Sequence, residues 1–360
     1  MIIREIDATA SSLESYADGV NTELSSIFFG GGTPSLMPPH HLERIVKRLG
    51  DSFGISNDAE ISMEADPGTF DAHRVKEWIE VVGITRLSVG VQSLSEEALK
   101  KCGRTHNSQE AREAVDIVSS SSLKSWSLDL MMGLPGLSIQ EWEQTLREAV
   151  KYRPGHVSVY DLQIEEGTAF GKWFEPGVFP LPPDDQSAEM YRLTSRLLED
   201  YGYEHYEISN YARDGHKCKH NLCYWRNEQY FGFGLGATSF IGKKRLGRPR
   251  DIQTYEKWLE SSENRMSEIL TECKDGEPKS DVVDEIICRM RLREGYDIRS
   301  RILDTYGKKT WDIIESDLLK FQSQKLIEVC KAGRVQLSVP EGFMLSNEVL
   351  STILAALPDE

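Results

Sequence analysis

Five short apolar runs, each followed by a segment of helical spacing, constrain this chain more than any other feature. Ser26–Gly30, Glu60–Ala65, Arg86–Val91, Trp126–Met132 and His156–Leu162 read as strands. Pro38 opens a helix in which Leu42, Ile45, Val46 and Leu49 form one stripe, and further helical patterns cover 75–82, 109–118 and 139–150. Ser95 begins another helix. Ahead of the first strand, Leu13, Tyr16, Val20 and Leu24 predict a helix over residues 11–24. Strands returning at intervals of roughly 25 to 40 residues, with helices between, specify a parallel sheet with right-handed crossovers. The polar and glycine residues fall after each strand, at the C-terminal edge, where α/β folds place ligands. A barrel or partial barrel fits better than a doubly wound sheet, because no strand–GxGxxG–helix with a following acid is present.

The most telling of these edges is Phe28-Phe29-Gly30-Gly31-Gly32-Thr33-Pro34-Ser35. Three glycines let a ligand lie against bare backbone. Other strand ends carry Glu64, Gln92 and Asp129, and Arg104 follows on a loop. Carboxylates can accept from an ammonium or from ribose hydroxyls, and an arginine can grip a carboxylate. Taken singly, a strand-end acid can be a helix cap and Arg104 a surface ion pair. Together they indicate a small zwitterionic or nucleoside ligand at the barrel mouth, with a phosphate on the glycine loop as another reading.

Phe174–Asp185, with four prolines, must be a loop, and a helix follows over Ser187–Asp200. Phe231-Gly232-Phe233-Gly234-Leu235-Gly236 reads as a strand against which something packs closely. Beyond about residue 250, helical stripes at Val283, Ile286, Ile287 and Met290 and at Trp311, Ile314 and Leu318 precede a hairpin turning at Lys331–Arg334. A last helix covers Asn347–Leu357, giving a winged-helix-like outline. The expected division is 1–170 for the barrel, 171–250 for its extension and 251–360 for the C-terminal domain. A net charge of −16 excludes a generic nucleic-acid surface and, with it, a DNA-reading role for that domain. No apolar run reaches the length needed to span a bilayer.

Five motifs in order resemble the HemW branch of the coproporphyrinogen III dehydrogenase-like radical SAM proteins. They are Phe29–Ser35, Met63–Gly68, Ser88–Ser93, Asp129–Gly136 and the HNxxYW run His220-Asn221-Leu222-Cys223-Tyr224-Trp225. The resemblance covers nearly the whole chain. It implies a partial (β/α)6 barrel with a small helical C-terminal domain and a site for S-adenosylmethionine. Gly31, Gly32 and Thr33 would hold the methionine end, Arg104 its carboxylate, and Glu64, Gln92 and Asp129 the amino group or ribose. It further implies a haem chaperone, with haem and haem-accepting proteins as partners and His220, Asn221, Tyr224 and Trp225 as a haem or substrate surface. Otherwise His220 and Asn221 tie down a loop while Tyr224 and Trp225 are core. An oxygen-independent coproporphyrinogen III dehydrogenase is the alternative, disfavoured because its anionic substrate needs more cations than Arg104.

In one respect the sequence departs from the family. Radical SAM proteins carry CxxxCxxC on the loop after the first barrel strand, where three thiolates hold a [4Fe–4S] cluster. Here the six cysteines, Cys102, Cys218, Cys223, Cys273, Cys288 and Cys330, nowhere take that spacing. No metal ligands are assigned, and no radical chemistry is expected from these residues. Nothing reads as structure ahead of residue 11, so the barrel is expected to lack its first strand. A truncated or alternative start is favoured over a natural loss of the segment. Where family members often have histidine, this chain has Thr238. Scattered cysteines suggest a reducing compartment: cytoplasm by default, or a mitochondrion or plastid given an upstream transit segment.

Overall fold

The computed structural model describes residues 1–16, 23–165, 167, 169–242, 244–262, 278–330 and 334–358. Its centre is a seven-stranded sheet. The strands are β1 (Leu24–Phe29), β2 (Ile55–Ala65), β3 (Arg86–Gln92), β4 (Ser125–Met132), β5 (His156–Asp161), β6 (Glu204–Glu207) and β7 (Asn210–Ala212). Their order is β1-β2-β3-β4-β5-β7-β6. The first five pair in parallel, and β7 and β6 close the series antiparallel. All five expected parallel strands are therefore present, and the α/β half-barrel stands.

Alternation decides what each face of this sheet does. On β2, Ile61, Met63 and Ala65 are buried in the same core as Leu42, Leu49 and Phe53 of the Pro39–Phe53 helix. The intervening Glu60, Ser62 and Glu64 share the opposite face. The register then aligns Glu64 with Ser88, Ser88 with Ser127, and Ser127 with His156. A parallel sheet covered on both faces usually reads as continuous aliphatic sequence. Here one face instead carries a ladder of polar residues. Helix starts follow local chemistry: Asn107 and Ser138 form capping boxes with Glu110 and Glu141, and Ser95 caps the helix after β3.

Three expectations are corrected. The N-terminal helix spans Ile2–Tyr16, not 11–24, and Val20 lies outside the described residues. The apolar side of that helix starts at Ile2 and Ile6, upstream of the stripe used to place it. Phe231–Gly236 is not a strand; only Tyr230 bridges to Phe240. The close packing is nonetheless present, since a Cβ on Gly232 would sit 2.3 Å from the Thr238 carbonyl oxygen. The helix after the proline-rich loop begins at Asp184.

Beyond residue 250, helices at Ile252–Ser262, Pro278–Arg289, Ile298–Tyr306 and Lys308–Ser323 precede the antiparallel pair Ile327–Val329 and Val335–Leu337. Residues 331–333 of the expected hairpin turn lie outside the described residues. The helices Glu341–Met344 and Ser346–Ala355 end the chain's structure. This part meets the barrel where Arg293 N–H donates to the Tyr206 carbonyl at 2.9 Å and Arg192 grips Glu341 through two hydrogen bonds. No helix among the described residues is long and apolar enough to cross a membrane.

Candidate functional site

The loop after β1 is held open by its neighbours. Gly31 and Gly32 have φ of 78° and 62°, a region costly for side chains, and a Cβ on either would meet no atom within 4 Å. Gly31 N–H donates to Glu64 Oε2 at 3.1 Å, and the Thr33 hydroxyl donates to Asp66 Oδ2 at 3.3 Å. Asp66 also lies 3.7 Å from Arg104, whose Nη2 donates to the Gly90 carbonyl at 3.1 Å. A register shift between Val89 and Gln92 turns the end of β3, leaving Gln92 at φ 63° beside these groups. Thus Gly31, Thr33, Glu64, Gln92 and Arg104 meet on one rim.

Asp129 sits deeper. It is buried, and each carboxylate oxygen accepts a serine hydroxyl, from Ser88 at 2.7 Å and Ser127 at 2.9 Å. Burial pushes its carboxyl above the usual range, with the serine hydroxyls opposing. Burial likewise raises Glu64, although the Gly31 N–H opposes the shift. Below, Ser127 continues to His156 Nδ1 at 2.8 Å, and His156 Nε2 meets the Tyr206 hydroxyl at 2.8 Å. Asp129 is therefore a supported floor under the rim and does not stand free at its edge.

The rim suits the methionine end of S-adenosylmethionine on its own geometry. Arg104 Nε and Gln92 Oε1 are buried without partners among the described residues, so a donor and an acceptor await a ligand. Gly90 leaves the space between them: a Cβ there would lie 2.9 Å from Asp66 Oδ1 and 3.4 Å from both Arg104 Nη2 and Gln92 Nε2. Among the described cysteines, burial pushes the Cys102 thiol up to about 11 and those of Cys218 and Cys223 to about 12. Among the described residues, no three His, Cys, Asp or Glu side chains group as metal ligands.

HNxxYW lies on the helix Lys219–Trp225, laid against β1. His220 Nδ1 meets Ser26 Oγ at 2.9 Å, and Nε2 meets the Tyr224 hydroxyl at 2.8 Å. Its ring stacks on Phe28 at 5.1 Å, and Tyr224 packs edge-on against Tyr230 at 4.5 Å. Burial pushes the His220 imidazole down to about 4, so it is neutral near pH 7. Asn221 is half-buried, with its backbone N–H toward the Cys218 sulfur. Trp225 Nε1 is buried without a partner among the described residues, under the Arg291 guanidinium at 5.3 Å. A Cβ on Gly30 would lie 2.7 Å from the Phe28 ring and 3.2 Å from Glu64 Oε1, so the ring that stacks on His220 adjoins the glycine rim.

Sequence reasoning missed Asp66 and the serines around Asp129. Period two supplied the signal: Asp66 follows Glu64 by two residues, and Ser88 and Ser127 alternate with buried Leu87, Val89, Trp126 and Leu128. No such signal leads to Ser26, Phe28 or Tyr230 as neighbours of HNxxYW.

Residues 8–149 match the Radical SAM superfamily model. Over 352 residues the chain is 38% identical to the haem chaperone HemW of Synechocystis, covering 94% of this chain and 84% of that protein. Against the haem chaperone HemW of Bacillus subtilis it is 32% identical, covering 93% and 86%. In fold it resembles coproporphyrinogen III oxidase (HemN) of Escherichia coli, a radical SAM enzyme, with a TM-score of 0.72, 20% identity, and coverage of 98% of this chain and 82% of that one. Likeness sustained through barrel, HNxxYW helix and C-terminal region alike means that the chain belongs to the HemW family of radical SAM proteins.

Proposed function

We propose that this chain is a haem carrier, binding haem and passing it to haem-accepting proteins; its relatives are named haem chaperones. The observation that carries this reading is similarity to haem chaperones at 38% and 32% identity over more than nine-tenths of the chain. His220, Asn221, Tyr224 and Trp225 form the haem-facing surface. Gly31, Gly32, Thr33, Glu64, Gln92, Arg104 and Asp129 form the adjoining S-adenosylmethionine site. When bound, that cofactor supplies a sulfonium centre flanked by an ammonium and a carboxylate. Arg104 pairs with the carboxylate, and the Glu64 carboxylate faces the ammonium. Asp129, held by Ser88 and Ser127, fixes the floor beneath. The likeness to coproporphyrinogen III oxidase is one of fold at 20% identity and does not favour oxidase activity. The five described cysteines are free thiols, which suits a reducing aqueous compartment, the cytoplasm or an organelle matrix.

Anaerobic titration with haem tests the reading directly. A Soret shift saturating near one equivalent per chain, followed by haem transfer to an apo-acceptor, supports it. Absence of any shift in both the unmodified protein and His220→Ala refutes it.

A further inference from the structure

The histidine of HNxxYW is the obvious candidate for an iron ligand, yet both of its ring nitrogens are engaged. Ser26 Oγ occupies Nδ1 and the Tyr224 hydroxyl occupies Nε2, while Phe28 covers one ring face. Both partners are hydroxyls, so either neutral tautomer of His220 satisfies the two contacts. Four other histidines are tied down: His106, His156 and His205 are buried in hydrogen bonds, and His216 is bonded to Ser125 and packed against Gly155. Tyr224 is different. It is 37% exposed and is flanked by the Tyr230 ring.

We infer that Tyr224 is the protein's axial ligand to ferric haem, with His220 as the positioning residue hydrogen-bonded to its oxygen. This assignment rests on the reading of the chain as a haem carrier and names the ligating atom at that surface. Ferric iron is a hard centre that an anionic phenolate oxygen suits, and tyrosine is an established haem ligand chemistry. On ligation the phenol O–H bond breaks and the oxygen–iron bond forms. The iron-bound water leaves, the phenol proton passes to solvent, and neutral His220 keeps its 2.8 Å hydrogen bond to the oxygen through Nε2–H while Nδ1 accepts from the Ser26 hydroxyl. Iron remains ferric throughout, so no oxidant or reductant is needed. His220 thus acts on the oxygen and not on the metal, and Ser26 on β1 fixes the imidazole.

The test is titration of the complete chain with hemin, comparing Tyr224→Phe, Tyr224→His, His220→Gln and the control Tyr230→Phe. The unmodified protein is expected to give a high-spin ferric spectrum with a phenolate-to-iron charge-transfer band and phenolate modes in resonance Raman. Tyr224→Phe should abolish both signatures and weaken binding about tenfold or more, about 1.4 kcal/mol. Tyr224→His should exchange them for imidazole ligation, which shows that the site has survived the substitution. His220→Gln should keep the phenolate modes but move their frequency and weaken binding, a change that a merely structural histidine would not cause. Tyr230→Phe should leave the ligation spectrum unchanged. Hemin bound with no phenolate signature, or a spectrum unchanged in Tyr224→Phe, overturns the assignment while leaving the carrier reading intact. Failure of the unmodified chain to bind hemin overturns both.

Discussion

The N-terminal helix is fastened to the middle of the chain by one carboxylate, and removing it should be costly. Glu5 is wholly buried; its Oε1 accepts from Arg248 Nε at 2.8 Å, and its Oε2 accepts from Gly234 N–H at 2.9 Å and the Tyr255 hydroxyl at 2.6 Å. Arg248 is only 7% exposed and packs over the Trp258 ring at 5.3 Å. Glu5→Ala leaves that guanidinium buried without its counter-charge and strands two donors. Breaking one partner of a buried pair typically costs about 3–5 kcal/mol. Glu5→Gln is milder: its oxygen can still receive Arg248, but its amide nitrogen faces Gly234 N–H, an unmade hydrogen bond costing about 1–3 kcal/mol. Replacing both ends, as in Glu5→Leu with Arg248→Met, should recover much of the loss, because the desolvated charge goes too. Urea unfolding followed by tryptophan fluorescence gives these differences, with Trp258 reporting on the contact itself. A Glu5→Ala protein within about 1 kcal/mol of the unmodified one would refute the reasoning, as would a double variant less stable than Glu5→Ala.

Gly90→Ala should spare the fold but weaken S-adenosylmethionine binding by about tenfold, since the added methyl crowds Asp66, Arg104 and Gln92; unchanged affinity in equilibrium dialysis would count against the rim. Burial raises the Glu207 carboxyl from 4.5 to about 7, opposed first by its hydrogen bond from Asn210. Protonated in the fold but ionised when unfolded, it contributes stability that is complete below about pH 4.5 and lost as pH rises through about 7, about 3 kcal/mol in all. Glu207→Gln should flatten that slope in unfolding measured between about pH 5 and pH 7; an unaltered slope would show that the carboxyl is not desolvated. Iron–sulfur reconstitution of these 360 residues, followed by dithionite reduction, should give no [4Fe–4S] signal in electron paramagnetic resonance, because the six cysteines nowhere take the CxxxCxxC spacing; an adenosylmethionine-cleaving cluster would contradict this.

Much of the fold was legible because its code is local. Each of the five parallel strands ends within about two residues of where alternation and apolarity place it, for strand and helix periods are set by backbone geometry over a few residues. The same periodicity put Glu64 and Gln92 at strand ends, while Asp129 lies inside β4. It could not say that Asp129 would be capped by two serines, since that depends on register between strands about 40 residues apart. The N-terminal helix was misplaced because a short amphipathic stripe can be continued in either direction. Glycine alternation at 231–236 was mistaken for a strand because close backbone approach, not ladder pairing, is what those glycines permit.

The sequence by itself determined the sheet, the glycine rim and the family motifs, all written in neighbouring residues. Tertiary structure alone decided which atoms are free. His220 meets Ser26 across 194 positions and Glu5 meets Arg248 across 243, and nothing in either local sequence foretells the meeting. The physical reason is that a side chain's chemistry depends on its last unoccupied donor or acceptor. Only the folded chain, by bringing distant residues within hydrogen-bond reach, determines which one that is.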